Sequence, residues 1–217
     1  MSNLKKKIPF MAGVFGHLIF QIFVAYRAAE ATSRNMNLKT VAESNRLFLG
    51  LVTLILAVFM SLVTLPIPVK VAIFSIISFI GGMTLHDIPS LQEALLEVIG
   101  IFILMFILGV ITVQLGFKLN ILGNVLFFSL LTVLIARILS AVGATERATS
   151  LRSGPMFDRG RTRNELFTKI LTLIFVLFVI YDTNTILQRN YGGNFVNASL
   201  DYFWDIINLI RLTGSNE

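Results

Sequence analysis

Apolar side chains run along this chain in blocks of about twenty, separated by short polar or proline-containing joints. Blocks of that length match a hydrocarbon core about 30 Å thick, which a helix crosses in roughly 20 residues. The pattern is that of membrane-crossing helices and not of barrel strands. It predicts spans at residues 8–29, 47–65, 69–85, 94–117, 121–142, 166–187 and 195–212. Pro66-Ile67-Pro68 separates the second and third, because two prolines disfavour one continuous helix. Lys118-Leu119-Asn120 joins the fourth and fifth, and a turn with Gly192-Gly193 joins the sixth and seventh. Such short joints make sequential helices antiparallel neighbours. The predicted fold class is therefore all-α: a polytopic membrane protein, one seven-span helical bundle covering residues 1–217.

One connection departs from this rule. Residues 143–165 form a long loop carrying Arg147, Arg152, Arg159, Arg161 and Arg163. Its readings are a solvated loop, a lipid-headgroup patch or a surface for partners. At the other end, Lys5, Lys6 and Lys7 precede an apolar run too long for a secretory signal and without a small-residue cleavage site, so the first span is expected to stay as an anchor.

Composition narrows the function classes. The chain of 217 residues is 55% hydrophobic and only 14% charged, and its mean hydropathy is +0.81. Soluble domains carry about 25% charged residues. The net charge of +6 is spread over termini and loops, which suits anionic headgroups and gives no reason to invoke nucleic acid. With seven spans, Lys5, Lys6, Lys7, Lys70, Lys118 and Arg189 share one side and the remaining basic residues the other, which favours an external N-terminus. There is no cysteine, hence no disulfide or thiol chemistry. No phosphate-cradling glycine loop, zinc spacing or nucleophile constellation is present, so the chain is not expected to be an enzyme and needs no cofactor. The last span has no mid-helix lysine for a retinal Schiff base.

Chemistry concentrates in the last two spans, where Asp182, Asp201 and Asp205 interrupt apolar sequence. An ionised carboxylate at the bilayer centre costs roughly 3 kcal/mol even on lenient scales, so such residues face a protein interior. Asp201, Asp205 and Asn208 follow at intervals of four and three and share one helical stripe. The last helix should therefore be wrapped by the others, at the centre of the bundle. The glycine turn folds it back on Asp182, so a carboxyl pair is geometrically reasonable. Two buried carboxylates in contact cannot both ionise cheaply; they share one proton. The protonated pair holds two helices together, and its loss leaves like charges that attract a hard cation such as calcium. The competing reading is structural: aspartates near membrane ends that cap helices or bond neighbouring hydroxyls. His17 and Gln21 in span one, and Glu97 in span four, are further candidates for an ion path or its supporting contacts. His86-Asp87 is another proton-sensitive candidate, or a hydrated loop end.

Two strings, Tyr181-Asp-Thr-Asn-Thr-Ile-Leu187 and Ala198-Ser-Leu-Asp-Tyr-Phe-Trp-Asp-Ile-Ile-Asn-Leu209, together with Gly116-Phe-Lys-Leu-Asn-Ile-Leu-Gly123, resemble the Bax-inhibitor (transmembrane Bax inhibitor motif, or lifeguard) family. Weaker similarity covers the first span and Gly81-Gly82-Met-Thr-Leu85. The resemblance implies a seven-span bundle with a central last helix, a cytosolic N-terminus, calcium leak from stores and protection from cell death. It places the family's carboxylate pair on Asp182 and Asp205. The cytosolic N-terminus it implies opposes the charge count above. The arginine that some family members place around span two, latched onto the acid pair in the closed state, has no counterpart in Phe59–Val69, where Ser61 and Thr64 are the only polar side chains. The expected function is thus a pH-sensitive calcium leak gated by Asp182 and Asp205 and modulating calcium homeostasis. The alternative is a non-transporting membrane protein that inhibits apoptosis through cell-death regulatory membrane partners. An endomembrane (ER or Golgi) site is implied in a eukaryote or virus, and the plasma membrane in a bacterium.

Overall fold

The computed structural model describes residues 2–132, 157–189, 191 and 193–214, with the side chains of 2–6 and 157–167 excepted. The expected end of span five beyond Thr132, and the arginine-bearing loop from 143 to 156, lie outside the described residues. Among the described residues all regular structure is helical: α1 (Ser2–Arg34), α2 (Met36–Ser44), α3 (Arg46–Leu62), α4 (Ile67–Met83), α5 (Leu91–Gln114), α6 (Asn120–Thr132), α7 (Phe157–Gln188) and α8 (Phe195–Gly214).

The joints act as the sequence dictates. Pro66 and Pro68 stop α3 and start α4, since proline lacks the N–H that the first turn does not need and pre-sets φ. Gly116, at φ 78°, takes the left-handed conformation that ends α5. One element was not anticipated: α2, a nine-residue helix capped by Asn35, whose Oδ1 accepts from the N–H groups of Asn37 (3.0 Å) and Leu38 (3.4 Å). Its polar sequence carries no span-length signal, only the cap.

Three segments are long and apolar enough to cross a membrane, namely Lys7–Arg34, Leu91–Gln114 and Thr168–Gln188. A fourth is added if α2 and α3, bent by 79° at their junction, form one broken span. The sequence pattern anticipated seven. The difference has local causes: α4 has 17 residues, about 26 Å of helix, and only 120–132 of span five is described. The last helix carries Asp201, Asp205 and Arg211 inside its apolar run. In addition α7 begins at Phe157, so residues 157–165, expected as loop, are helical in backbone.

Outward-facing side chains identify the environment. Leu47, Leu51, Leu54 and Ile55 on α3, Ile103, Leu104 and Ile107 on α5, and Phe127 and Phe128 on α6 are all exposed. A band of this kind is stable against lipid tails and unfavourable against water. The described residues are all-helical, with helices long and apolar enough to cross a membrane, as in a membrane protein.

Inside, α8 packs against α1, α3, α4, α5 and α7, and Tyr202, Phe203, Ile206, Ile207, Leu209 and Ile210 are buried along it. Phe74 meets Phe203 edge-on at 5.1 Å, and Phe102 meets Tyr202 likewise at 5.1 Å. Small residues set the spacing of α1 and α4. A Cβ on Gly82 would stand 2.0 Å from the Ala25 carbonyl oxygen, so the two backbones touch there. In lipid, where no hydrophobic force joins helices, such close contact is a main source of packing energy. Gly82→Ala is therefore expected to cost about 1–3 kcal/mol by forcing α1 and α4 apart. Thermal unfolding in detergent checks this, with Gly100→Ala, whose added Cβ meets nothing within 4 Å, as the variant expected to keep the wild-type midpoint.

Candidate functional site

The turn after α7 sets the site. Gly193, at φ 81°, reverses the chain; the Asn194 N–H donates to the Tyr191 carbonyl at 2.9 Å. Asn194 Oδ1 then accepts from the Asn197 N–H at 3.3 Å and caps α8. α8 thereby returns antiparallel along α7, bringing Asp201 and Asp205 to the level of Asp182.

Asp182 and Asp205 are joined by a side-chain hydrogen bond, and the Asp201 charge is close enough to act on both. Asp205 is buried, 5% exposed, whereas Asp182 and Asp201 are half-buried. Oδ2 of Asp205 has no hydrogen-bond donor beside it. Two ionised carboxylates offer acceptors only, so a bond between them requires a proton on one of the two. Asp201 has a separate partner: the Tyr191 hydroxyl donates to its Oδ2 at 3.3 Å. Burial and the Asp201 charge push the Tyr191 phenol above its ordinary range, which keeps it a donor.

The three acids line a cavity of about 730 Å³. Its walls come from α3 (Leu49, Thr53), α4 (Ile80, Thr84), α7 (Phe175, Phe178) and α8 (Trp204, Arg211). Asn208 also lines it, but its Nδ2 donates to the Trp204 carbonyl at 2.8 Å, within its own helix. Arg211 Nη2 donates to Thr84 Oγ1. A cation thus lies in the same cavity as the acids, supplied by α8 and not by the stretch 59–69. It was legible as the next step of the Asp201, Asp205, Asn208 stripe, three residues on, and the sequence reading missed it.

Other candidates fall elsewhere. His17 and Gln21 are buried between α1, α4 and α8: His17 Nδ1 is 2.7 Å from Ser199 Oγ, Gln21 Nε2 is 3.1 Å from His17 Nε2, and Gln21 Nε2 donates to Ser75 Oγ at 3.3 Å. That network does not line the acid cavity. Glu97 is exposed on α5 and away from the cavity as well. His86 Nε2 stands 3.6 Å from Glu43 Oε1, and Asp87 pairs with Arg46 at 3.8 Å, at the far end of α4. Among the described residues no three His, Asp or Glu side chains come together as a metal-binding group.

Polar contacts beside the acids fix the helices that carry them. The Tyr202 hydroxyl donates to Thr183 Oγ1 at 2.9 Å, and Thr183 donates in turn to the Val179 carbonyl at 2.7 Å. Asn184 Nδ2 donates to Thr112 Oγ1 (2.8 Å) and to the Phe117 carbonyl (3.0 Å), while its Oδ1 accepts from Gln188 Nε2 at 3.0 Å. Through Asn184 the end of α7 is tied to the end of α5. Comparison with protein-family models and with curated proteins finds no match for this chain.

Asn184→Ala removes three hydrogen bonds at a buried position and should lower stability by about 2 kcal/mol, the sum of modest membrane hydrogen bonds. Equilibrium unfolding in mixed micelles measures it. Asn208→Ala, which loses one bond within its own helix, is expected to cost well under half as much.

Proposed function

We propose that the protein is a pH-sensitive cation leak, with calcium as the permeating ion, controlled by the proton that Asp182 and Asp205 share. The observation that carries this reading is the buried Asp205 carboxyl bonded to Asp182 at the wall of a large cavity. With the proton present, the pair clamps α7 to α8. Without it, two negative charges a hydrogen bond apart repel, and the adjoining cavity gains a charge that draws in a hard cation.

The likeness of the 181–187 and 198–209 strings to the Bax-inhibitor family supports the same reading, and with it the seven-span arrangement with α8 at its centre. On that basis the protein lies in an internal membrane of a eukaryotic cell, or in the plasma membrane of a bacterium, and acts on calcium homeostasis and cell death. In place of the missing span-two arginine, Arg211 puts a cation in the same cavity as the acids. The reading in which the protein acts through partners alone relies on the 143–165 loop, most of which is outside the described residues.

The sign follows from the charge. Flux should be low where the pair keeps its proton and rise as pH increases through its loss, by up to about tenfold per pH unit, the limit for one proton. Calcium flux into proteoliposomes across a pH series measures this. Asp205→Asn keeps a hydrogen bond to Asp182 and cannot lose the proton, so its flux should be low and flat. A variant with the wild-type pH profile removes the gate.

A further inference from the structure

The acid cavity is much larger than a calcium ion needs. At about 730 Å³ it lies within the range of pockets that enclose organic ligands, roughly 300–1,000 Å³. Its wall is mostly apolar, with Phe175, Phe178 and Trp204 among the aromatic contributors. A cation passing a purely ionic site gains little from such a wall. A molecule with an apolar body gains from all of it, and a charged amine gains again from the ring faces.

The polar groups specify the charge of that molecule. Asp182, Asp201 and Asp205 converge on the cavity, and Asp182 and Asp201 are only half-buried, so a ligand in it reaches them. An ammonium group supplies up to three donors and the opposite charge at once. Farther along α8, six residues or about 9 Å from Asp205, Arg211 also lines the cavity. Its charge disfavours a second cationic group on the same ligand. Leu54 lines the cavity and is 57% exposed on the outer face of α3, so an apolar molecule has a route in from the lipid side.

We infer that the acid cavity is a binding site for lipophilic monoammonium compounds, with the ammonium on the aspartates and the hydrocarbon body against Phe175, Phe178 and Trp204. The inference rests on the leak reading in one respect: an amine seated there occupies the ion's position and blocks flux. Binding itself does not depend on it.

Trp204 is the single tryptophan of the chain, so its fluorescence reports the cavity directly. The test titrates the full chain in nanodiscs of neutral lipid with adamantan-1-amine and with adamantan-1-ol, which share a body and differ in charge. The amine should saturate the Trp204 signal at a concentration at least tenfold lower than the alcohol, and Asp205→Asn or Asp201→Asn should reduce that preference severalfold. Equal saturation by the two compounds, or an undiminished preference in both aspartate variants, overturns the inference. The comparison of amine with alcohol in the unaltered protein decides even if an aspartate variant fails to fold. Calcium flux in the same preparations separates the two ideas: amine preference without pH-dependent flux keeps the site and rejects the leak. Flux that follows Asp205 without amine preference does the reverse.

Discussion

The Asp182 and Asp205 carboxyls, set against each other between α7 and α8, are the contact on which the proposed function depends. Asp182 and Asp205 bond to each other, and apart from that contact Asp205 Oδ2 is buried without a hydrogen-bond partner. In a low-dielectric interior an unsatisfied charged acceptor is among the most costly things a fold can carry. A proton between the two carboxyls lowers that cost.

The rest of the bundle serves that geometry. The Gly193 turn and the Asn194 cap set the register of α8 on α7. Asn184 ties α7 to α5, and Tyr202 bonds to Thr183 one residue from Asp182. On the opposite face, the near-contact of Gly82 with the Ala25 carbonyl draws α1 to α4. Phe74 and Phe203 then fill the space between α4 and α8. Each contact is weak alone, as expected where lipid supplies no hydrophobic drive. Together they hold the two carboxyls at one place.

Two polar systems flank α8 and are separate. The His17, Gln21 and Ser199 network lies toward α1 and α4, with its groups bonded mostly to one another. The acids lie toward α3, α7 and a large cavity. The first behaves as an internal fastening between helices. The second is short of donors and adjoins open volume, which is why function is assigned there.

Apolar blocks, proline joints and glycine turns fixed the helices in the sequence itself, because length and backbone chemistry are local properties. The Asp201, Asp205, Asn208 stripe was legible for the same reason: helical periodicity alone puts those residues on one face. Sequence pattern could not show α2, whose only mark is an Asn35 cap, nor assign Glu97 to an exposed surface and His17 to a separate network. Those outcomes depend on which helix faces which. The pairing of Asp182 with Asp205, the presence of Arg211 in the same cavity and the 730 Å³ of space around them were decided by tertiary packing, since a side chain's partner across a bundle is set by helix rotation and crossing, which no single helix encodes.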